Sequence, residues 1–256
     1  MLSSTPISLI QHDLQVDAAA PLAIDLPELT GDSVVCIGLS IDWAQQQVLY
    51  AAAQRHTLAE EHARAERFFR PQDRLRHLFG RMLLRRVATH YGGMDPARPI
   101  GSNHYGKPVP DCSVGCNLSH AGTQVWVAVS RHAAVGIDVE SASAPRDFKL
   151  IAAGFHPQET AALHAQSDPA PATMRCWSRK EAIAKATGMG LSLPLQDYAV
   201  DCGTDPANWL HIAPPATSCP DWSTVDLPIG EGYVGALAVK GQCNTVTVLR
   251  LHAIAT

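Results

Sequence analysis

The sequence lacks any apolar run long enough to span a membrane, and it contains no low-complexity tract. A membrane-spanning helix needs about 20 consecutive apolar residues. Polar residues interrupt the first apolar segment at Gln11, His12 and Asp13, so we expect no signal peptide and, by default, a cytoplasmic location. With 46% hydrophobic and 17% charged residues, the chain has the composition of a globular protein.

The chain also has a small net charge and few cysteines. The formal net charge of −4 predicts no general attraction to nucleic acid or to membrane surfaces. The seven cysteines are irregularly spaced, and their odd number fits reduced thiols better than a disulfide framework. The 256 residues suffice for one large domain or for two of half that size.

The apolar pattern predicts alternating groups of strands and helices. Residues 1–30 contain three prolines and no sustained period, so we expect a loosely attached lead-in. Beyond it, the pattern predicts strands at 34–41, 124–129, 134–140, 234–239 and 245–251, and helices at 58–69, from Pro71 onward, at 157–165 and at 173–186. We expect the prolines at 169 and 171 to break the last two helices apart, and residues 202–223 to be rich in loops.

The helix that begins at Pro71 is strongly basic. The stretch from its preceding residue to Arg86 contains Arg70, Arg74, Arg76, Arg81, Arg85 and Arg86 with a single acidic residue, Asp73. Its leucines and other apolar residues follow helical spacing, so we expect one buried stripe with the arginines elsewhere. Two interpretations remain open, namely a solvated helix face and a binding site for a multiply charged phosphate ligand.

Two carboxylates alternate with apolar residues in Gly136-Ile137-Asp138-Val139-Glu140, which predicts a strand with both acids on one face. Like charges so close repel each other unless a cation lies between them, which suggests a hard metal ion with oxygen ligands. Alternatively, the two acids end an edge strand in solvent.

A second segment, residues 177–185, predicts a helix that carries an acid and a base one turn apart beside an apolar anchor, Trp177. Glu181 could complete the metal site. The alternative is a surface ion pair between Glu181 and Lys185. We assign Arg179 to the solvent face, and Lys180 receives no role.

These two segments resemble the paired signatures of Sfp-type 4'-phosphopantetheinyl transferases, G-I-D-V/I-E and W-x-x-K-E-x-x-x-K, in the family's order and interval. The resemblance covers about residues 60–195. It also includes Tyr105-Gly106-Lys107-Pro108, Asn117-Leu118-Ser119-His120, an F-x-x-x-E block from Phe155 to Glu159, and Gly188 to Leu195. The Trp and Lys-Glu-Ala pattern is similar to the branch that serves polyketide and nonribosomal peptide synthases.

The resemblance implies an α+β pseudodimer of two similar halves, residues 31–131 and 132–256, with the cofactor site at their interface and the metal site in the second half. It implies transfer of the 4'-phosphopantetheine group of coenzyme A to a serine of an acyl, aryl or peptidyl carrier protein. Mg²⁺ is the implied metal, and the implied protein is a monomer that binds neither nucleic acid nor membranes.

Site residues follow from the same resemblance. Asp138, Glu140 and Glu181 are the implied Mg²⁺ ligands, and Lys185 and His120 contact phosphate. Glu181 is either a third ligand or the general base, a task that a metal-bound water could also perform. The implied coenzyme A contacts are Arg76, Lys107, Pro108, Ser119 and, in part, Arg64. Glu61 departs from the family, because a lysine often occupies its place.

Four other functions are compatible with parts of the sequence. A Ser119-His120-Asp138 hydrolase is disfavoured, because adjacent residues of an extended segment point to opposite faces. Zinc at Cys112, Cys116 and His120 is disfavoured by the ligand spacing. A metal-dependent nucleotide phosphohydrolase and a noncatalytic coenzyme A-binding module remain open.

Overall fold

The computed structural model describes residues 7–131, 134–142, 147–203, 210–211, 222–241 and 243–254. The strands are β1 (Ser8–Asp17), β2 (Ser33–Ser40), β3 (Gly101–Ser102), β4 (Pro108–Val109), β5 (Gly115–Ala121), β6 (Gln124–Ser130), β7 (Val135–Ser141), β8 (Leu210–His211), β9 (Trp222–Asp226), β10 (Tyr233–Lys240) and β11 (Thr245–Ile254). The α-helices are α1 (Gln46–Arg55), α2 (Ala59–Ala65), α3 (Pro71–Gly92), α4 (Phe148–Ala153), α5 (Pro157–His164) and α6 (Pro169–Thr187). The predicted α+β class is confirmed.

The strands form two main sheets and one short hairpin. The first sheet has the order β1-β11-β2-β6-β5, the second has the order β7-β10-β9-β8, and β3 pairs with β4. A shared core of apolar side chains, including Trp126, Ile137 and Leu237, packs between the two sheets. The edge strand β5 of the first sheet lies against the edge strand β7 of the second. This seam between the sheets brings together three of the predicted site residues, Ser119, Asp138 and Lys185.

One helix covers each main sheet. Helix α3 packs on β5 and β6, where an added Cβ at Gly80 would lie only 3.2 Å from the Leu118 side chain. Helix α6 packs on β7 and β10 even more closely. An added Cβ at Gly136 would lie 2.0 Å from the Ala182 carbonyl oxygen. Glycine at the start of the Gly-Ile-Asp-Val-Glu motif is therefore required by the approach of α6.

The ends of α6 correct one expectation. Helices α5 and α6 are separate, as predicted, but Pro169 and Pro171 do not lie between them, because both prolines are in the first turn of α6. A proline is tolerated there, since the first amides of a helix have no intrahelical acceptor. Asp168 caps this end by accepting a hydrogen bond from the Ala170 amide, and Gly188 ends the helix in the left-handed conformation, with φ of 79°.

The predicted lead-in is wrong over residues 8–17. These residues form β1, an edge strand that pairs in parallel with β11 from Ser8 opposite Thr245 to Asp17 opposite Ile254. Most of its side chains are exposed, so it shows no apolar alternation from which a strand could be predicted. The first sheet thus takes β11 from the predicted second half, and the division into two halves stays a prediction.

Most of the segment expected to be loop-rich, residues 202–223, lies outside the described residues. Among the helices that the structure describes, none is both long and apolar enough to cross a membrane.

Candidate active site

Asp138 lies at the centre of the seam between the two sheets. Only 2% of its surface is exposed, and β10 covers its strand on one side. Its Oδ1 accepts hydrogen bonds from Lys185 Nζ at 2.6 Å and from Ser119 Oγ at 3.3 Å. Its Oδ2 is buried and accepts no hydrogen bond from the described residues. A buried carboxylate oxygen in this state is stabilised by any cation that reaches it.

Two polar side chains of β5 join it to β7. Asn117 Oδ1 accepts a hydrogen bond from the Ile137 amide at 2.9 Å, and Ser119 Oγ accepts one from the Val139 amide at 3.1 Å. Ser119 Oγ also accepts from Lys185 Nζ at 2.9 Å. The predicted cofactor contact Ser119 therefore holds the seam together and orients Lys185.

Trp177 of α6 is half-buried, and its Nε1 donates a hydrogen bond to Glu140 Oε1 at 2.9 Å. The indole that the sequence marked as an apolar anchor also links α6 to the end of β7, and the carboxylate that it orients is that of Glu140.

The three predicted metal ligands do not form one recognisable metal cluster. Within the described ranges, no three His, Cys, Asp or Glu residues are grouped so that they could hold a metal ion. Asp138 is ion-paired with Lys185, Glu140 contacts Trp177, and Glu181 is buried on α6 four residues before Lys185. Ligation of Mg²⁺ by these carboxylates stays a prediction.

Lys107 lies at the tip of the β3–β4 hairpin, where it caps the end of α6. Its Nζ donates hydrogen bonds to the carbonyl oxygens of Lys185, at 2.7 Å, and Ala186, at 3.4 Å. Asn103 of the same hairpin donates to the Gly188 carbonyl at 2.8 Å. Desolvation lowers the pKa of Lys107. A cation at a helix C-terminus is stabilising, so this contact competes with the phosphate contact expected from the resemblance. Pro108 follows in β4, opposite Ser102.

Arg76 and His120 face the other side of β5. Arg76 is ion-paired with Asp73, and its Nη1 donates to the Gly122 carbonyl at 2.7 Å. His120 is exposed, yet desolvation by surrounding groups lowers its pKa below the ordinary 6.5, and the charges of Arg76 and Lys185 lower it further. The imidazole is therefore mostly neutral at pH 7, in a region where cations dominate.

Two arginines of the basic helix depart from the interpretation as a solvated face, whereas the phosphate-binding interpretation stays a prediction. Arg81 and Arg85 are buried, and Arg85 Nε donates to Glu61 Oε2 at 2.8 Å. Arg85 also donates to the carbonyl oxygens of Pro96 and Arg98. Glu61 caps α2 by accepting from the Leu58 amide at 2.9 Å. The acid at the family's lysine position therefore anchors α3 to α2.

A cavity of about 400 Å³ lies beside this ion pair. Its lining includes Arg64 of α2, Arg67 of the segment after α2, and Arg81 of α3. Ser102 of the β3–β4 hairpin also lines it. Helix α3 also places His77 nearby. Desolvation and the charges of Arg81 and Arg64 lower the pKa of His77 to about 4, with a smaller contribution from His120. Basic side chains therefore extend from the cavity, with Arg64 and Arg81, towards the seam, with Arg76 and Lys185, and we call this series the cationic path.

His77, Arg67 and Arg81 were not among the predicted contacts. The sequence could have indicated two of them, because His77 and Arg81 are one helical turn apart and therefore lie on one face of α3.

Lys180 forms a fully buried ion pair that its motif position did not explain. Its Nζ donates to Glu159 Oε2 at 2.7 Å, to Oε1 at 2.8 Å, and to the Tyr198 carbonyl at 2.6 Å. Glu159 also accepts from the amides of His156 and Val200. Burial lowers the pKa of Lys180, and Glu159 opposes that shift. This pair fixes the rotation of α6 and hence the direction of Glu181 and Lys185.

Arg179 was placed on the solvent face, and that prediction is wrong. Its side chain is fully buried and forms a bidentate pair with Asp226, with both N–O distances at 2.7 Å. It also donates to the carbonyl oxygens of Asp201 and Gly203. The fork of a guanidinium satisfies all these acceptors at once, which ties α6 to β9.

The cysteines depart in part from the reduced state that we expected. Cys176 of α6 is disulfide-bonded to Cys202, with the two Cα atoms 5.5 Å apart. Cys36, Cys112 and Cys116 are free thiols. Cys219 lies outside the described residues.

The amino-acid sequence matches known transferases. The family model for the 4'-phosphopantetheinyl transferase superfamily matches residues 134–238, which include β7 and α6. HetI, a 4'-phosphopantetheinyl transferase of Nostoc sp., is 30% identical over 226 residues, which are 84% of this chain and 92% of that protein. The chain therefore belongs to the 4'-phosphopantetheinyl transferase family, and the predicted family and enzyme class are confirmed.

Two Bacillus subtilis proteins match over a shorter range. A 4'-phosphopantetheinyl transferase is 35% identical over 149 residues, and Sfp is 31% identical over 146 residues. These matches cover 56% and 55% of this chain and 65% and 64% of the two proteins, so the chain spans just under two thirds of their lengths.

Proposed function

We propose that this protein transfers the 4'-phosphopantetheine group of coenzyme A to a carrier-protein serine, giving holo-carrier and 3',5'-ADP. The observation that carries the proposal is the buried Asp138–Lys185–Ser119 cluster, which lies within and beside the family-matched segment. The carriers are those of polyketide or nonribosomal peptide synthesis, as the Trp and Lys-Glu-Ala pattern implies. The two halves of the pseudodimer are residues 31–131 and 132–256, with β11 of the second half joined to the first sheet, and coenzyme A binds along the seam.

Coenzyme A carries a pyrophosphate and a 3'-phosphate, and the cationic path offers partners for both. Lys185, His120 and Arg76 are the partners of the pyrophosphate at the seam. The 3'-phosphate occupies the 400 Å³ cavity, where Arg64, Arg67 and Arg81 outnumber Glu60 and Glu61. This placement accounts for a family member in which Glu61 replaces a basic residue, because Arg67 and Arg81 supply the missing charge.

Mg²⁺ fits the donor set at the seam, because carboxylate oxygens are its preferred protein ligands and the buried Asp138 Oδ2 accepts no hydrogen bond from the described residues. Asp138 and Glu140 are the residues that would hold it, and Glu181 would be either a third ligand or the general base. When bound, the ion supplies positive charge to the pyrophosphate of coenzyme A.

The transfer forms one bond and breaks one. The carrier serine oxygen bonds to the β-phosphorus of coenzyme A, and the bond from that phosphorus to the oxygen of 3',5'-ADP breaks. Glu181 accepts the proton of the serine hydroxyl. Lys185 moves its ammonium from Asp138 to the phosphate oxygens on which charge develops, and this stabilises the transition state.

The test is intact-protein mass spectrometry of candidate carriers incubated with the enzyme, coenzyme A and Mg²⁺. We expect a phosphopantetheine adduct on one serine of a polyketide or peptide-synthase carrier, and loss of the adduct when EDTA removes divalent metal. The Asp138→Asn variant is the matched control, because it keeps the volume and removes the charge. Cleavage of coenzyme A without any carrier would indicate a phosphohydrolase, and binding without turnover would indicate a noncatalytic module.

A further inference from the structure

Cys112 and Cys116 form a thiol pair outside the proposed transfer site. Their sulfur atoms approach the same backbone oxygen, since Cys112 Sγ lies 3.4 Å and Cys116 Sγ 4.0 Å from the Val114 carbonyl oxygen. The segment between them turns into β5, so two thiols four residues apart share one acceptor. A common acceptor makes the two thiols neighbours, and a disulfide between them requires the backbone to bring their Cα atoms within about 7 Å.

The two thiols differ in access to solvent. Cys116 is 7% exposed and belongs to the core beneath α3, whereas Cys112 is only half-buried. The last turn of α3 packs on Cys112, because an added Cβ at Gly92 would lie 2.7 Å from its Cβ and 3.1 Å from its Sγ. A reagent from solvent therefore meets Cys112 first, and Cys116 lies behind it.

The ionisation of the pair agrees with this order. A hydrogen bond from Cys116 lowers the pKa of Cys112 to about 6, although burial opposes the shift. The pKa of Cys116 is raised by the same hydrogen bond and by burial, while the charge of Lys107 lowers it. Burial also raises the pKa of Cys36, and that of Cys243 to about 11. The thiolate is the nucleophile in exchange reactions, so Cys112 is the most reactive of these thiols.

We propose that Cys112 and Cys116 are a thiol–disulfide exchange site for a low-molecular-weight disulfide such as oxidised glutathione. Cys112 thiolate attacks one sulfur of that disulfide, the disulfide's S–S bond breaks, and one small thiolate leaves and takes up a proton. Cys116 then loses its proton and attacks Cys112 Sγ in the mixed disulfide, which releases the second small thiol. Two protein thiols are oxidised to one intrachain disulfide, and the oxidant is reduced to two thiols.

Peptide mapping by mass spectrometry of the full chain, incubated with oxidised glutathione, tests both the site and the order of attack. In the wild type we expect loss of two hydrogens at a Cys112–Cys116 linkage. In Cys116→Ser, the exchange should stop at a stable glutathione adduct on Cys112. In Cys112→Ser, Cys116 should carry no adduct under the same conditions. Cys243→Ser is the matched control, a buried thiol that should leave the linkage unchanged.

A second measurement needs no substitution. Limited alkylation of the native wild type should label Cys112 at least roughly tenfold faster than Cys36 or Cys243. Equal labelling rates would overturn the proposal, as would an adduct on Cys116 in Cys112→Ser or the absence of an adduct on Cys112 in a normally melting Cys116→Ser protein. None of these readouts depends on carrier modification, so they are independent of the proposed transferase activity.

Discussion

The contacts of Lys185 serve either a catalytic or a structural role, and substitution of this residue distinguishes the two. Its ammonium is partly exposed and contacts Asp138 and Ser119 directly at the seam. If it stabilises charge on the breaking pyrophosphate, Lys185→Ala should lower kcat by about two orders of magnitude. Lys185→Arg should recover only part of this loss, because a planar guanidinium does not reproduce a compact ammonium.

The measurement for Lys185 is carrier modification at saturating coenzyme A and Mg²⁺, with thermal melting of each variant. Lys149→Ala is the control, an exposed lysine on α4 outside the seam. Turnover close to that of the wild type in a normally melting Lys185→Ala protein would assign this lysine to the seam's structure alone.

Asp138 shows how burial changes the design of a variant. An exposed ligand carboxylate could be replaced by alanine without harm to the fold, but that of Asp138 is buried against Lys185. Alanine would leave the Lys185 ammonium without its counter-charge and Ser119 without its acceptor, which destabilises a protein. Asparagine is therefore the informative substitution, because it retains the hydrogen-bond acceptor for Lys185 and Ser119.

At the scale of structural elements, we expect substitutions in α2 and in the β3–β4 hairpin to affect the binding of coenzyme A differently. Arg64 of α2 lines the cavity, whereas Lys107 of the hairpin caps α6. Arg64→Gln should raise KM for coenzyme A several-fold and leave KM for 3'-dephospho-coenzyme A unchanged, because only the former offers the 3'-phosphate. Lys107→Met should lower Tm and affect both cofactors equally.

Steady-state kinetics with the two cofactors tests this pair of predictions. If Lys107→Met loses preference for coenzyme A over its dephospho form while Arg64→Gln keeps it, the 3'-phosphate binds at the hairpin and the helix-capping role is secondary.

Helix α6 is anchored by a buried ion pair whose loss can be measured as stability. Lys180 and Glu159 have side-chain exposures of 0% and 1%. Lys180→Met leaves Glu159 charged and unpaired in the core, so it should reduce the free energy of unfolding by about 3 to 5 kcal/mol. The double variant Lys180→Met/Glu159→Gln should be less destabilised than Lys180→Met alone, because no unpaired charge remains.

Urea denaturation followed by circular dichroism provides the measurement for α6. Lys149→Met is the matched control, for which we expect a change near zero. An effect of Lys180→Met as small as that of the control would mean that the pair does not anchor the helix.

At the scale of the whole molecule, sequence patterns identified the local elements better than the contacts between them. The strand at Asp138, the basic helix and the strand β10 were predictable, because each carries its own apolar period. The buried charges were not. Arg179 and Asp226 are 47 residues apart in sequence, and composition alone places such residues at the surface. Only the fold shows that their partners are buried with them.

The same limit applies to the candidate site. The motif residues Asp138, Ser119 and Lys185 do meet, because the two sheets join along β5 and β7. The role of Lys107 as a helix cap depends on where the hairpin lies relative to α6, which no local pattern records. The edge strand β1 was missed for a related reason, since its pairing with β11 joins distant parts of the chain.

Stability against pH is a property of the whole molecule, and His77 contributes to its decrease at acidic pH. Its folded-state pKa of about 4 lies below the ordinary 6.5, chiefly because of desolvation. Between these values the unfolded chain binds a proton that the folded protein does not, so His77 lowers stability as pH falls from about 6.5 towards 4.

His77→Gln removes this contribution and should flatten the decrease in Tm over that range. Thermal melts at matched ionic strength would measure it, with His12→Gln, an exposed histidine of β1, as the control. Parallel Tm profiles for the wild type and His77→Gln would show that His77 is protonated as readily in the folded protein as in the unfolded chain, which would contradict its lowered pKa.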